Sequence, residues 1–327
     1  MASGLLPALK PAFPQARMAW LVQPEAKDLL TANALINDVI IWPRSEWRRL
    51  FRTGHWLRLL QEIRGFARGL RERRFDVVID AQGLLKSAVL AWFTRSPRRI
   101  GLGSKEGGAR LMTEVIAKPK GERRIASEYR HLVAALGGDP ITYRMDVALA
   151  PNDRAFADNF VRDHALSQGY AVICPFTTRP QKHWIESYWS GLIERLHKDL
   201  GLAVVMLGGP GDVAASSSIA RGADVINAVG RTRLREAAAL IERARLLIGV
   251  DTGLMHMGTA FGIPTIALFG STCPYLETDS PNTVVLYKAL ACSPCRRHPT
   301  CGGAYTCMRE IRVGEVMSNA QRLLAKP

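Results

Sequence analysis

The chain of 327 residues holds no run of about 18 uncharged apolar residues, so no segment reads as a membrane-spanning helix. Its first residues, MASGLLPALKPAFPQ, are broken by Pro7, Pro11 and Pro14 and lack the charged-then-apolar pattern of a secretory signal. A cytoplasmic protein is the expectation. Low-complexity tracts and obvious internal repeats are absent, which excludes disordered and solenoid architectures. The glycine-rich turn Gly208-Gly209-Pro210-Gly211 is not G-x-G-x-x-G, so a dinucleotide fingerprint is not supported.

Acidic residues are also scarce: 29 Asp and Glu stand against 44 Lys and Arg, a formal net charge of +15. Residues 1–150 hold 25 basic against 14 acidic, a surplus of 11; residues 151–327 hold 19 against 15, a surplus of 4. An electropositive front half draws polyanions: nucleic acid, an anionic membrane or a phosphorylated glycolipid. A solvated basic face would account for much of the same surplus. No nucleic-acid-binding motif accompanies the charge, so nucleic acid is not an expected partner.

What is present is an alternation of apolar runs with helical patterns, the signature of a parallel sheet covered by helices. In the front half, strands are expected at residues 17–23, 38–42, 75–79 and 99–102, with helices near 1–16, 25–31, 45–74 (broken near Gly54), 85–94 and 122–136. Pro151-Asn152-Asp153 caps a new helix, which puts a domain boundary near residue 150. The second half repeats the pattern, with strands at 170–174, 203–207, 225–229, 246–250 and 265–269. Two doubly wound halves, 1–150 and 151–327, facing each other across a cleft are the expected α/β fold. The final helix, 313–324, could pack on either half.

The stretch LLIGVDTGLMHMGTAFGIPTIALFGST, residues 246–272, organises the second half. It reads as strand, helix and strand, so its two polar tripeptides, Asp251-Thr252-Gly253 and Gly270-Ser271-Thr272, fall at the carboxyl ends of neighbouring parallel strands. The first also opens a helix, whose free N–H groups and dipole favour an anion such as phosphate. Asp251 repels an anion and is better used to accept hydrogen bonds from hydroxyls beside it, with His256 one turn further on. A sugar nucleotide fits that combination. Simple capping of the helix by Asp251 and Thr252 fits the local pattern equally well.

Two further loops follow strands. In Phe176 to Trp184 (FTTRPQKHW), Thr177, Thr178 and Lys182 could hold a diphosphate; a polar loop stapled by Trp184 is the plainer reading. In LGGPGD, Asp212 is placed to accept from ribose hydroxyls or to close an ordinary turn.

Taken together, D-T-G-L-x-H-x-x-x-A at 251–260, F-G-S-T at 269–272, T-T-R-x-x-K-H-W at 177–184 and D-A-Q-G-L-x-K-S-A at 80–88 resemble the lipopolysaccharide heptosyltransferases of glycosyltransferase family nine, most closely the type that adds the first heptose. The resemblance spans nearly the whole chain. It implies the two-Rossmann-domain GT-B fold and inverting transfer of heptose from ADP-heptose to a Kdo residue of lipid A, with no cofactor or essential metal. It places Thr177, Thr178 and Lys182 at the diphosphate, Asp212 at the ribose, Asp251 at sugar hydroxyls, and Thr252 and Gly253 at the phosphates. His256 lies in the motif without an assigned step. Asp80, Gln82 and Lys86 fall on the acceptor side, where Lys86 would meet a Kdo carboxylate or a lipid A phosphate. Such a protein works in the cytoplasm, peripherally on the anionic inner face of the inner membrane.

One departure stands out. The family opens with a strand and an S-L-G-D-type loop whose Asp supplies the general base that inverting transfer requires. Here Ser3 to Leu9 matches the helix after that loop, so the base is expected upstream of Met1. Either the start codon lies further upstream or the gene is truncated, and the 327-residue chain is then expected to be inactive or poorly folded. A relative using another acceptor and a non-catalytic sugar-nucleotide-binding remnant are the alternatives.

Cys292, Cys295, Cys301 and Cys307 form C-x2-C-x5-C-x5-C within a Cys-rich segment, 292–307. Four thiolates at short spacing could bind zinc or an iron–sulfur cluster, or could clamp a loop. The spacing is not that of a standard finger. Cys174 and Cys273 are not expected to take part.

Overall fold

The computed structural model describes residues 1–119, 121–272, 276–278, 280–295 and 298–325. The chain divides into two compact units, Ala2–Glu122 with Ala126–Arg144, and Arg123–Ile125 with Met145–Pro327 and Met1.

The first unit runs α1 (Leu5–Leu9), β1 (Ala19–Val22), α2 (Lys27–Thr31), β2 (Asp38–Ile41), α3 (Arg44–Arg52) and α4 (Trp56–Glu72). It continues with β3 (Val77–Asp80), α5 (Leu85–Phe93), β4 (Arg98–Leu102), β5 (Glu114–Ile116) and α6 (Ser127–Ala135). Every pairing is parallel, but the strands fall into two sheets, β1-β2 and β3-β4-β5. The long helical stretch breaks at Thr53–His55, where the sequence suggested. Two details differ from expectation. Strand β5 was not anticipated, because three residues are too short to show a period. The helix expected from residue 122 starts only at Ser127, because Ile125 donates its N–H to the Glu277 carbonyl and Arg124 bridges Glu277. A distant backbone thus overrides local helix preference.

The second unit runs α7 (Pro151–Asp163), β6 (Tyr170–Cys174), α8 (Glu186–Leu200), β7 (Ala203–Met206), α9 (Val213–Ala220), β8 (Ile226–Asn227) and α10 (Leu234–Glu242). Then come β9 (Leu246–Val250), α11 (Gly253–Phe261), β10 (Thr265–Phe269), β11 (Thr283–Tyr287), α12 (Thr306–Arg309) and α13 (Val313–Leu324). Its six strands form one parallel sheet in the order β11-β10-β9-β6-β7-β8. Every residue of β6, β9 and β10 is buried, which is why these strands read as unbroken apolar runs rather than alternating ones. Each such Leu, Ile or Val contributes roughly 1.5–3 kcal/mol on leaving water. The final helix packs on α8 and β10, within this same unit.

Strand order matters for the site. From β6 the chain winds to β7 and β8 on one side, then returns to β9, β10 and β11 on the other. The switch lies between β6 and β9, where parallel α/β sheets open a crevice at the carboxyl ends of the strands. Among the described residues, no helix is long and apolar enough to cross a membrane.

Candidate functional site

At that switch point the loops after β6, β9 and β10 converge on one carboxylate. Asp251, directly after β9, accepts from Lys182 Nζ at 2.6 Å and from Thr272 Oγ1 at 2.8 Å, both on Oδ2. His256 Nε2 stands 3.5 Å from Oδ1. The Thr177 hydroxyl donates to the Asp251 carbonyl at 3.1 Å, and the Thr177 carbonyl in turn lies 2.9 Å from His183 Nε2. Motifs separated by 69 and 21 residues are thereby joined in three dimensions.

The Asp251 side chain is only 16% exposed. Burial alone would raise its carboxyl, but His256, the Lys182 hydrogen bond and charge, and Thr272 outweigh that and hold it well below the usual carboxylate range. The group stays ionised and is a weak base. It suits accepting hydrogen bonds from hydroxyls better than removing a proton.

The helix behind it matches the anion-binding reading. Thr252 is the N-cap residue of α11 in extended conformation, and its side chain makes no capping hydrogen bond. Asp251 spends Oδ2 on Lys182 and Thr272 and turns Oδ1 to the His256 ring, not to the first amides of the helix. Simple side-chain capping therefore does not account for this pair. Gly253 is exposed, and a side chain there would meet only open space, so a ligand can approach the first amides of the helix. His256 is one turn on, with Nδ1 buried and unpartnered. Thr178 is exposed beside Thr177. Trp184 does act as a staple: it is 3% exposed, edge-on to Trp189, and its indole N–H donates to the Ile311 carbonyl, so the loop bearing Lys182 is anchored in the core.

Asp212 serves its own turn. Its Oδ2 accepts from the Gly209 N–H at 2.8 Å, the geometry of a cap on the short 3-10 turn Pro210–Asp212.

In the first unit Asp80 ends β3 and is 5% exposed. Its Oδ1 accepts from the amides of Gln82 and Gly83 at 3.0 and 3.1 Å, and its Oδ2 from the Ser87 hydroxyl at 3.0 Å. Asp80 therefore shapes the loop, while Gln82 is exposed on it and Lys86 half-buried at the start of α5. Gly83 has φ +68°, and a Cβ there would lie 2.2 Å from the Leu102 carbonyl oxygen, so only glycine fits.

The four clustered cysteines do share one cavity, lined also by Gln181 and Ser271, but it holds only about 10 Å³, roughly one water. Cys292 is exposed and Cys307 buried, and all four are free thiols. Among the described residues, no group of three or more His, Cys, Asp or Glu side chains is arranged to hold a metal ion. The spacing thus brings the sulfurs to one cavity at different depths. Backbone N–H groups, those of Tyr305 foremost, lower the Cys301 thiol, whereas burial raises Cys295 and Cys307. Ser293 ties this segment to the Gly270 carbonyl, just before Ser271 and Thr272. Cys174 is buried in β6 and its thiol is strongly raised by burial, while Cys273 lies outside the described residues.

Sequence reasoning named Asp251 and Lys182 but not Thr272 or His183 as parts of the cluster. Thr272 had a signal, its place at the carboxyl end of β10; His183 had none beyond its neighbour.

The chain is similar to known proteins. The model of glycosyltransferase family 9 (heptosyltransferase) matches residues 63–305. Lipopolysaccharide heptosyltransferase 1 of Salmonella typhimurium is 32% identical over 281 residues, 83% of this chain and 85% of that protein. The enzyme of the same name from Pseudomonas aeruginosa is 29% identical over 307 residues, 89% of this chain and 81% of that one. Among solved structures, a glycosyl transferase family 9 protein from Veillonella parvula superposes with a TM-score of 0.80 at 22% identity, over 99% of this chain and 92% of that one. An E. coli heptosyltransferase with ADP-2-deoxy-2-fluoro heptose gives 0.71 at 22%, over 98% and 94%. These likenesses give the fold as the GT-B type.

Proposed function

Because the chain belongs to glycosyltransferase family 9, the heptosyltransferases, we propose that it transfers heptose from ADP-heptose to the Kdo region of the lipopolysaccharide inner core, with inversion. That it is a glycosyltransferase of lipopolysaccharide inner-core assembly follows from the family; donor, acceptor and stereochemistry are the proposal. The observation that carries it is the Lys182–Asp251–Thr272 cluster at the head of α11.

In this reading the amides that follow Thr252 and Gly253 and the hydroxyls of Thr177 and Thr178 receive the pyrophosphate. Lys182, already bonded to Asp251, shares its charge between that carboxylate and the pyrophosphate. Asp251, kept ionised, accepts from hydroxyls of the sugar, and His256 keeps it in place. Asp212 has its second oxygen for the ribose. On the acceptor side Asp80 holds the loop that presents Gln82 and Lys86, and Lys86 meets a carboxylate or phosphate of the acceptor. The acceptor is lipid-borne, so the protein works at the anionic inner face of the inner membrane. Solved relatives crystallised with ADP and with ADP-2-deoxy-2-fluoro heptose support the choice of donor.

Calorimetric titration with ADP-heptose, and ADP release on adding Kdo-bearing lipid A, test the reading. Saturable binding is expected, lost about a hundredfold in a Lys182→Ala, Asp251→Ala double variant, which removes two charged hydrogen-bonding groups. Absence of ADP-sugar binding, or binding unchanged in that variant, overturns it. Transfer only to a different acceptor overturns the Kdo assignment alone.

A further inference from the structure

The basic surplus of the first unit is concentrated. Residues 44–74 carry ten arginines, no lysine and three glutamates, a surplus of 7 out of the 11 found over residues 1–150. This stretch is the α3–α4 hairpin. Its inner face is core: Leu50, Leu59, Ala67 and Leu70 are buried. Its outer end is apolar yet bare. Phe51 is 57% exposed, Trp56 51%, Leu57 79% and Leu60 48%. Phe51 and Trp56 meet edge to face at 4.6 Å, so these side chains form one patch rather than scattered exceptions.

The charges surround that patch. Along α4, Leu57, Leu60, Arg64 and Arg68 recur at helical spacing on one face, apolar at the first turn and basic thereafter. Arg48 and Arg52 flank Phe51 along α3, Arg58 follows Trp56 by two positions, and all three are exposed. Among the described residues, no carboxylate lies within ion-pair distance of Arg48, Arg52, Arg64 or Arg68, while Arg58 acts on Glu46 only through space. Arg49 and Arg73 differ, being paired with Glu46 and Asp38.

We infer that the outer end of the α3–α4 hairpin is the surface by which this protein sits on an anionic phospholipid bilayer, with Phe51, Trp56, Leu57 and Leu60 dipping into the acyl boundary and Arg48, Arg52, Arg58 and Arg64 on the headgroup phosphates. Aromatic and leucine side chains next to long cationic ones are what an interfacial helix requires, because the apolar part leaves water while the guanidinium heads stay at the phosphate level. The absence of lysine favours phosphate partners, which guanidinium binds through two parallel hydrogen bonds. A neutral protein partner would explain the apolar patch but not the excess of arginines over carboxylates around it. The inference depends on the lipid-borne acceptor only for its purpose; the binding itself needs neither donor nor acceptor.

The full chain is mixed with vesicles of phosphatidylcholine alone and of phosphatidylcholine with about one-third phosphatidylglycerol, and binding is read by co-sedimentation and tryptophan emission. Binding to the anionic vesicles only, weakening with salt, is expected. A Trp56→Ser, Leu57→Ser double variant should bind about tenfold more weakly, and an Arg52→Glu, Arg58→Glu, Arg64→Glu variant about a hundredfold. All five residues are exposed, so both variants should keep the wild-type circular dichroism and affinity for ADP-heptose. Equal binding to both vesicle types, no binding, or variants that bind like the wild type overturn the inference. So does a dimer in sedimentation velocity that the Trp56→Ser, Leu57→Ser change dissolves, since the patch would then be a protein interface. Failure of ADP-heptose binding with vesicle binding intact counts against the proposed reaction and not against this surface.

Discussion

Asp80 and Asp251 stand at the carboxyl ends of parallel strands in the two units, and they do opposite things. Among the described residues, Asp80 bonds only to its own loop, to residues two, three and seven positions ahead. Asp251 gathers side chains from three segments, Lys182 from 69 residues back, Thr272 from 21 ahead and His256 from the next turn. The sheets around them differ in the same sense. Among the described residues, one unit has a single six-stranded sheet with a switch point and the other has five strands split two and three. A carboxylate that closes a local turn makes a scaffold. One that ties distant segments together makes a site, and its properties depend on all of them.

The sharpest way to break the comparison is through the local loop. Gly83→Ala should destabilise the first unit by about 3 kcal/mol or more, because a left-handed backbone and a carbonyl contact are both violated. Scanning calorimetry should show one transition falling while that of the second unit stays. A common shift of both would mean the units are not independent in stability.

Next in size is Lys182→Ala, expected to weaken ADP-heptose binding about tenfold to a hundredfold and to let the Asp251 carboxyl rise toward its ordinary value. Carbon NMR of the carboxyl group reads the second effect directly. Asp80→Ala leaves the amides of Gln82 and Gly83 and the Ser87 hydroxyl without their acceptor and should cost about 1–3 kcal/mol, with nucleotide affinity unchanged. A loss of donor affinity in that variant would put Asp80 in a site rather than a scaffold.

Acid distinguishes the two carboxylates further. Asp251 is depressed in the folded chain relative to an unfolded value of about 3.9, so its stabilisation is present above that value and is lost as pH falls through the folded one. Stability of the second unit should therefore fall below about pH 4, and Asp251→Asn should flatten that dependence. The smallest effect concerns thiols: at neutral pH Cys301 should react with iodoacetamide faster than Cys307, and Cys174 only on unfolding, as mass spectrometry of the labelled peptides can show.

Much of this was legible beforehand. The final helix at 313–324, the helix between the strands of 246–272, and the strands at 170–174, 246–250 and 265–269 follow from apolar periodicity and turn residues, because buried strands and amphipathic helices leave strong local patterns. Asp251, Thr252 and Lys182 could be picked out because they follow strands. The shift of α6 to Ser127 could not be, since it depends on Glu277. Nor could the depth of the cysteines, because spacing along a loop does not set where each sulfur points.

By itself the amino-acid order determined the α/β alternation, the parallel sense of the strands and the family, since each rests on patterns within a few residues or on motifs in series. Tertiary structure alone decided that Lys182 and Thr272 share one carboxylate, that Asp80 is spent on its own turn, and that four arginine-ringed apolar side chains are left facing water. Those outcomes depend on which strands become neighbours and which faces find cover, and chain folding settles both through contacts between residues far apart in sequence.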